Sequence, residues 1–263
     1  MAKTQLALMT WREAEEAFRE NPVILIPSGS IEQHGPQTPV GDFRIGEALG
    51  ERIAVGSGAL IAPILPYGYS DVFRGFPGTI SLQADTVFNV MYDVTISFIE
   101  HGLDHIMFLC GHNGNMPILE HVARRIRHEY GLRLACIEPF RLFSPATLAA
   151  AYGREQVVTG HGADPITSFW LHLDPEAVRL DLAEPPQREQ FGLDLRGTAQ
   201  VALGDVSGHI YFDYLDVAPN GVTGDVTIFD GVAGGRILDH IVERGIEFVR
   251  VFQGHDTHIG KDA

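Results

Sequence analysis

Short runs of wholly apolar residues recur along this chain. Each is bounded by glycine, proline or polar residues, and each is separated from the next by a segment with helical periodicity. Val23 to Ile26, Ala59 to Ile64, His105 to Cys110 and Leu132 to Ile137 read as strands. Between them, Ile45 to Ala54, Asp85 to His101 and Asn115 to Tyr130 read as helices, the last two stopped by Gly102 and Gly131. Strands that are apolar throughout are buried on both faces, as in a mostly parallel sheet covered by helices. The expectation is an α/β fold, one domain over residues 1–263. Thr10 and Glu13 have capping-box spacing ahead of the first strand, and Ser144-Pro145 reads as a helix N-cap followed by a first-turn proline. Gly234 to Phe252 closes the chain as a long amphipathic helix. Glu184 to Gly197 turns polar and reads as a surface excursion or an oligomer contact, while Gly204 to Ile228 is too short to stand as a domain.

Composition narrows function by exclusion. Lys plus Arg number 19 against 34 Asp plus Glu, a formal charge of −15, which opposes nucleic-acid phosphates and anionic membrane surfaces alike. No apolar stretch approaches the roughly 20 residues of a membrane span. The N-terminal residues carry no continuous apolar leader core, so a cytoplasmic location is expected. Cys110 and Cys136 fall in apolar strand runs and are read as packing residues.

Histidine, glycine and carboxylates gather just after the strands, where open α/β sheets place their ligand sites. In Gly29-Ser30-Ile31-Glu32-Gln33-His34, Glu32 and His34 are two apart and project to one side of an extended segment. They offer a carboxylate and an imidazole to one divalent cation, and Asp42 can return beside them after the Gly/Pro turn. Such a set suits zinc or manganese. A second cluster, Cys110 to Asn115, puts His112 at the carboxyl edge of the sheet with Asn115 as an N-cap. A third, Gly160 to Ser168, brings His161 and Asp164 to a helix start. The remaining histidines read as structural or solvated, with His255 and His258 in a terminal segment expected to fray.

These residues resemble the creatininase (creatinine amidohydrolase) family along most of the chain. Gly29 to Asp42 is similar to the family's G-S-x-E-Q-H-G-P-H-x-P-L-x-T-D. Leu65 to Ser70 with Phe76 to Leu82, Gly111 to Asn115, His161 to Ser168 and Gly221 to Asp225 match its later motifs in order. The resemblance implies a three-layer α/β/α subunit in a homohexamer, with two divalent metals (zinc or manganese, or iron) hydrolysing a C–N bond of a small amide. By position, Glu32, His34, Asp42 and His112 resemble metal ligands, Asp42 resembles the carboxylate bridging both ions, and His161 resembles the proton-transferring histidine.

The chain departs from the pattern at four places. One residue is missing between Glu32 and Asp42, Gln37 replaces the second histidine of H-G-P-H, and Ile166 replaces the glutamate of H-A-G-x-x-E-T-S. Gly114 stands where creatinine-hydrolysing members carry a glutamate. Creatinine is therefore not the expected substrate. Asp164 is the candidate to replace the lost ligand, provided that it sits in an extended turn ahead of Pro165. Arg74 either recognises an acidic group or is simply solvated. The expected activity is metal-dependent hydrolysis of a small amide, lactam or formamide. A lactonase, or an inactive structural or maturation partner, would be the alternative.

Overall fold

In a computed structural model the described residues are 3–189, 194–196 and 200–259, so Gln190 to Leu193 and Gly197 to Ala199 of the polar excursion lie outside the described residues. Helix α1 (Trp11–Phe18) is entered through the expected capping box between Thr10 and Glu13. Strand β1 (Ile24–Ser28) leads to helix α2 (Phe43–Ser57), stopped by Gly58 in the left-handed conformation. Strand β2 (Leu60–Ile61), helix α3 (Ala84–Glu100) and strand β3 (Ile106–Cys110) follow, then helix α4 (Met116–Tyr130) and strand β4 (Ala135–Ile137). The later helices are α5 (Pro145–Tyr152), α6 (Ile166–Leu173), α7 (Tyr214–Val217) and α8 (Gly231–Gln253). Strands β5 (Asp194–Arg196), β6 (Gln200–Leu203) and β7 (Val206–His209) form a separate antiparallel sheet.

The main sheet runs β2-β1-β3-β4, and every pair in it is parallel. Alternate strand residues enter two different cores, as a pleated strand dictates. Val23, Leu25, Met107 and Leu109 pack with α2, α6 and α8 on one side. Ile24, Ile26, Ile106, Phe108 and Cys110 pack with α3 and α4 on the other. Helix, sheet and helix thus make three layers, and Cys110 is a buried core thiol as expected.

Two strands are shorter than the apolar runs suggested. Pro63 cannot donate to a ladder and ends β2 early. Leu132 leaves β4 to pair antiparallel with His258. The tail up to Ile259 is correspondingly docked and not frayed: Ile259 N–H donates to the Gly131 carbonyl, and His258 Nε2 lies 2.9 Å from Asp104. Because β1 passes to β2 on one side and lies against β3 on the other, the chain reverses direction across the sheet between β1 and β3. The carboxyl ends of those two strands are where such a sheet opens a crevice.

Candidate metal centre

Ser28 ends β1 and Cys110 ends β3, and the loops that follow carry Glu32, His34 and His112 into that crevice. Asp42 arrives at the first turn of α2. Its side chain does not cap the helix but turns back so that Oδ1 accepts the Ser30 N–H at 2.6 Å. Asn115 occupies the N-cap position of α4 without capping it either. Its amide donates to the Gly29 carbonyl at 3.0 Å, and its Oδ1 accepts the Tyr69 N–H at 2.9 Å, stitching three loops together.

The result is a buried meeting of two carboxylates on one imidazole. His112 Nδ1 lies 3.2 Å from Glu32 Oε2 and 3.2 Å from Asp42 Oδ2. Its other nitrogen, Nε2, donates to the Tyr69 carbonyl at 2.9 Å, which fixes the ring and turns Nδ1 toward the carboxylates. Ser70 Oγ donates to Glu32 Oε2 at 2.7 Å and touches Ser30 Oγ. Glu32, Asp42 and His112 are all buried, and their ligand atoms lie within 4.8 Å of one another.

A second group shares Glu32. His34 donates from Nδ1 to the Glu32 carbonyl at 3.1 Å and turns Nε2 to 3.6 Å from Glu32 Oε1. His161 completes that group. It donates from Nε2 to the Gln33 carbonyl at 2.6 Å and stacks between His34 (centroids 4.6 Å, planes 25° apart) and Phe73 (4.2 Å, 14°), with Tyr214 tilted against it. The carboxylate common to both groups is therefore Glu32, not Asp42. Asp164 joins neither group. Its Oδ1 accepts both the N–H and the hydroxyl of Ser168, at 3.1 and 2.7 Å, which turns the carboxyl toward its own helix.

Burial alone would push Glu32 upward, but the facing imidazoles, His112 foremost, bring it down to about 2. Burial lifts Asp42 to about 7, and the neighbouring Glu32 charge adds to the lift against the hydrogen bond from His112. Burial works against a charged His112, yet the two carboxylates hold it well above the ordinary imidazole value. Burial and the neighbouring His161 bring His34 down to about 3, and burial lowers His161 as well. Two buried carboxylates on one imidazole carry an excess of negative charge that a divalent cation relieves.

The centre floors a cavity of about 1080 Å³. Its walls include Tyr69, Phe73, Phe140, Phe143, Tyr211 and Tyr214. Thus Tyr214 and Thr223, from the stretch too short to be a domain, shape the site. Arg74 does not line it. The guanidinium is half exposed and paired with Asp71 at 2.6 Å, which is the solvated reading. Sequence reasoning passed over Ser30, Ser70 and the aromatic flanks of His161. Ser70 was within reach, because it ends a family motif.

A family profile described as creatinine amidohydrolase matches residues 7–249. The chain belongs to the creatininase family. Membership places it among the metal-dependent amidohydrolases. The mycofactocin precursor peptide peptidase of Mycobacterium ulcerans (strain Agy99) is 29% identical over 238 residues, covering 84% of this chain and 82% of that protein. The creatinine amidohydrolase of Pseudomonas putida is 31% identical over 192 residues, covering 66% of this chain and 73% of that protein. Among solved structures, a manganese creatininase superposes with a TM-score of 0.78 at 24% identity over 95% of this chain and 98% of its own. A further creatininase gives 0.79 at 22% over 97% and 100%. Those likenesses establish the three-layer fold. No described helix is long and apolar enough to cross a membrane.

Proposed function

We propose that this chain hydrolyses the C–N bond of an amide by metal-dependent attack of water, at the centre built from Glu32, Asp42 and His112. The observation that supports this most strongly is the convergence of those three buried side chains at the floor of an open cavity, beside His161. Two carboxylates and an imidazole whose Nδ1 proton an ion would displace match the borderline donor set that zinc and manganese accept. Glu32, Asp42 and His112 would hold the ion, whose contribution is to acidify a water and polarise a carbonyl. Iron stays within the same donor chemistry.

The chain's own residues supply the rest. Ser70 and the Ser30 amide orient the two carboxylates, and the Tyr69 carbonyl fixes the His112 tautomer. His161 is the proton-transfer group. Its Nε2–H is committed to the Gln33 carbonyl, so Nδ1 is the atom that accepts a proton from the attacking water and returns it to the leaving nitrogen. Burial keeps that imidazole neutral near pH 7, the form such a group needs at the start of a cycle. Phe73 and Tyr214 fix the plane of the ring.

A single small ring fills only a fraction of the cavity, which favours an amide carried on a larger molecule, a short peptide included. The activity of the mycobacterial relative on a precursor peptide points the same way. The departures at Gly114 and Ile166 argue against creatinine itself. The homohexamer belongs to this reading through family likeness. The test is hydrolysis of formamide, lactam and peptide probes, with a matched lactone, by protein stripped with chelator and reloaded with zinc or manganese. Amide cleavage that depends on the reloaded ion supports the reading, and preference for the lactone overturns it.

A further inference from the structure

We propose that the centre takes one divalent ion per chain, held by Glu32, Asp42 and His112, and that His34 and His161 stay outside its coordination. This rests on the metal-dependent reading above and narrows it, since the family resemblance implies two ions.

The first set is complete. Three protein ligands and a water make a hydrolytic site of the zinc type. Glu32, Asp42 and His112 are those three, each oriented by a hydrogen bond from outside the set.

A second ion has no such set. Of the groups near it, only His34, His161 and the already engaged Glu32 converge. An ion bound by an imidazole lies near the ring plane, along the nitrogen lone pair. Rings whose centroids are 4.6 Å apart and whose planes are inclined by 25° have planes that meet only about 10 Å away, several times the ~2.1 Å metal–nitrogen bond. His34 and His161 therefore do not share an ion in their stacked arrangement. Turning either ring would break its hydrogen bond to a backbone carbonyl, that of Glu32 or of Gln33.

The positions from which a further carboxylate would come bring none into either group. At Gly114 a Cβ would stand 2.3 Å from His112 Nε2 and 2.3 Å from the Tyr69 carbonyl oxygen. The contact that orients His112 thus occupies the space in which a side chain at 114 would begin. Position 166, the first residue of α6, lines the cavity but is Ile, whose side chain offers no ligand atom. Asp164 gives Oδ1 to Ser168, and its carboxyl converges with neither group of ligand atoms. His34 is left as a positioning residue that supports the plane of His161 and the Glu32 loop.

The test is metal content per chain, by plasma mass spectrometry, on untagged protein reloaded with manganese and freed of excess, together with its electron paramagnetic resonance spectrum. The expected result is close to one ion per chain and the six-line spectrum of an isolated manganese. His34→Gln should keep that content within about a fifth, whereas His112→Ala should lose most of it. Close to two ions with an exchange-coupled spectrum would overturn the proposal while leaving metal-dependent hydrolysis standing. Loss of the ion from a folded His34→Gln variant would also overturn it. No retained ion in the wild-type chain would overturn both this proposal and the metal reading beneath it.

Discussion

The side-chain amide of Gln37 donates to the Gly162 carbonyl at 2.8 Å, tying the loop that carries Glu32 and His34 to the loop that carries His161. Gln37 is fully buried, and the same nitrogen reaches the hydroxyls of Thr38 and Thr167 at 3.1 and 3.2 Å. A residue that reads in the sequence as a departure from the family is therefore a cross-brace between the two halves of the site. Gln37→Ala leaves buried acceptors unpaired, at a cost of about 1–3 kcal/mol. It should lower the melting temperature by several degrees and kcat by about tenfold, with little change in ion content. Thermal denaturation and steady-state kinetics on the reloaded enzyme check this.

Ser70 acts one step out from the carboxylates. Removing its hydroxyl frees Glu32 Oε2 from its only serine donor among the described residues. Loss of an outer hydrogen bond of this kind costs about 10–100-fold in metal affinity. Ser70→Ala should show that loss in a competitive chelator titration while its circular dichroism stays that of the wild type.

Asp164 gives a pH prediction of known sign. Burial raises its carboxyl from the ordinary 3.8 to about 6, against the Ser168 hydrogen bonds. A group that binds its proton more tightly when folded contributes stability that is fully present below about pH 4 and is lost as pH rises through about 6. At about 1.4 kcal/mol per unit, the ceiling is roughly 3 kcal/mol. Asp164→Asn keeps an acceptor for Ser168 and removes the titration. The variant should flatten stability between pH 4 and 6.5, gain stability at pH 8 in denaturant melts, and retain its bound ion.

Helices α6 and α8 cross at Gly234, where a Cβ would stand 2.1 Å from the Ser168 carbonyl oxygen. Backbone against backbone leaves no flexible neighbour to yield. Gly234→Ala should force the helices apart and cost about 2 kcal/mol or more, read as a lower denaturation midpoint with an unchanged slope.

Much of this was legible in the residues, for physical reasons that differ between elements. Val23 to Ile26 and His105 to Cys110 announced themselves because strands buried on both faces leave no polar residue to break the run. Glu32, His34 and Asp42 announced themselves because charged side chains clustered straight after such a strand have few structural uses. What stayed hidden depends on partners distant in sequence. Asn115 looked like a helix cap, but its side chain is claimed by Gly29 and Tyr69. Asp164 had suitable chemistry and spacing for a ligand, yet one of its oxygens is taken by Ser168, four residues on, and it converges with neither group. The His34–His161 stack joins residues 127 positions apart, and no local pattern encodes it. Nor does any local pattern predict that His258 docks on Asp104.

The most direct measurement is the rate of amide-bond hydrolysis by the chain before chelation, after it, and after reloading with zinc or manganese, with Glu32→Gln carried alongside. Cleavage of an amide probe that disappears with the ion, returns with it and falls at least 100-fold in Glu32→Gln is the predicted result. Hydrolysis that survives chelation, or an ion-loaded protein that cleaves only the lactone or nothing in the panel, would contradict the assignment of Glu32, Asp42 and His112 as the centre of a metal-dependent amidohydrolase.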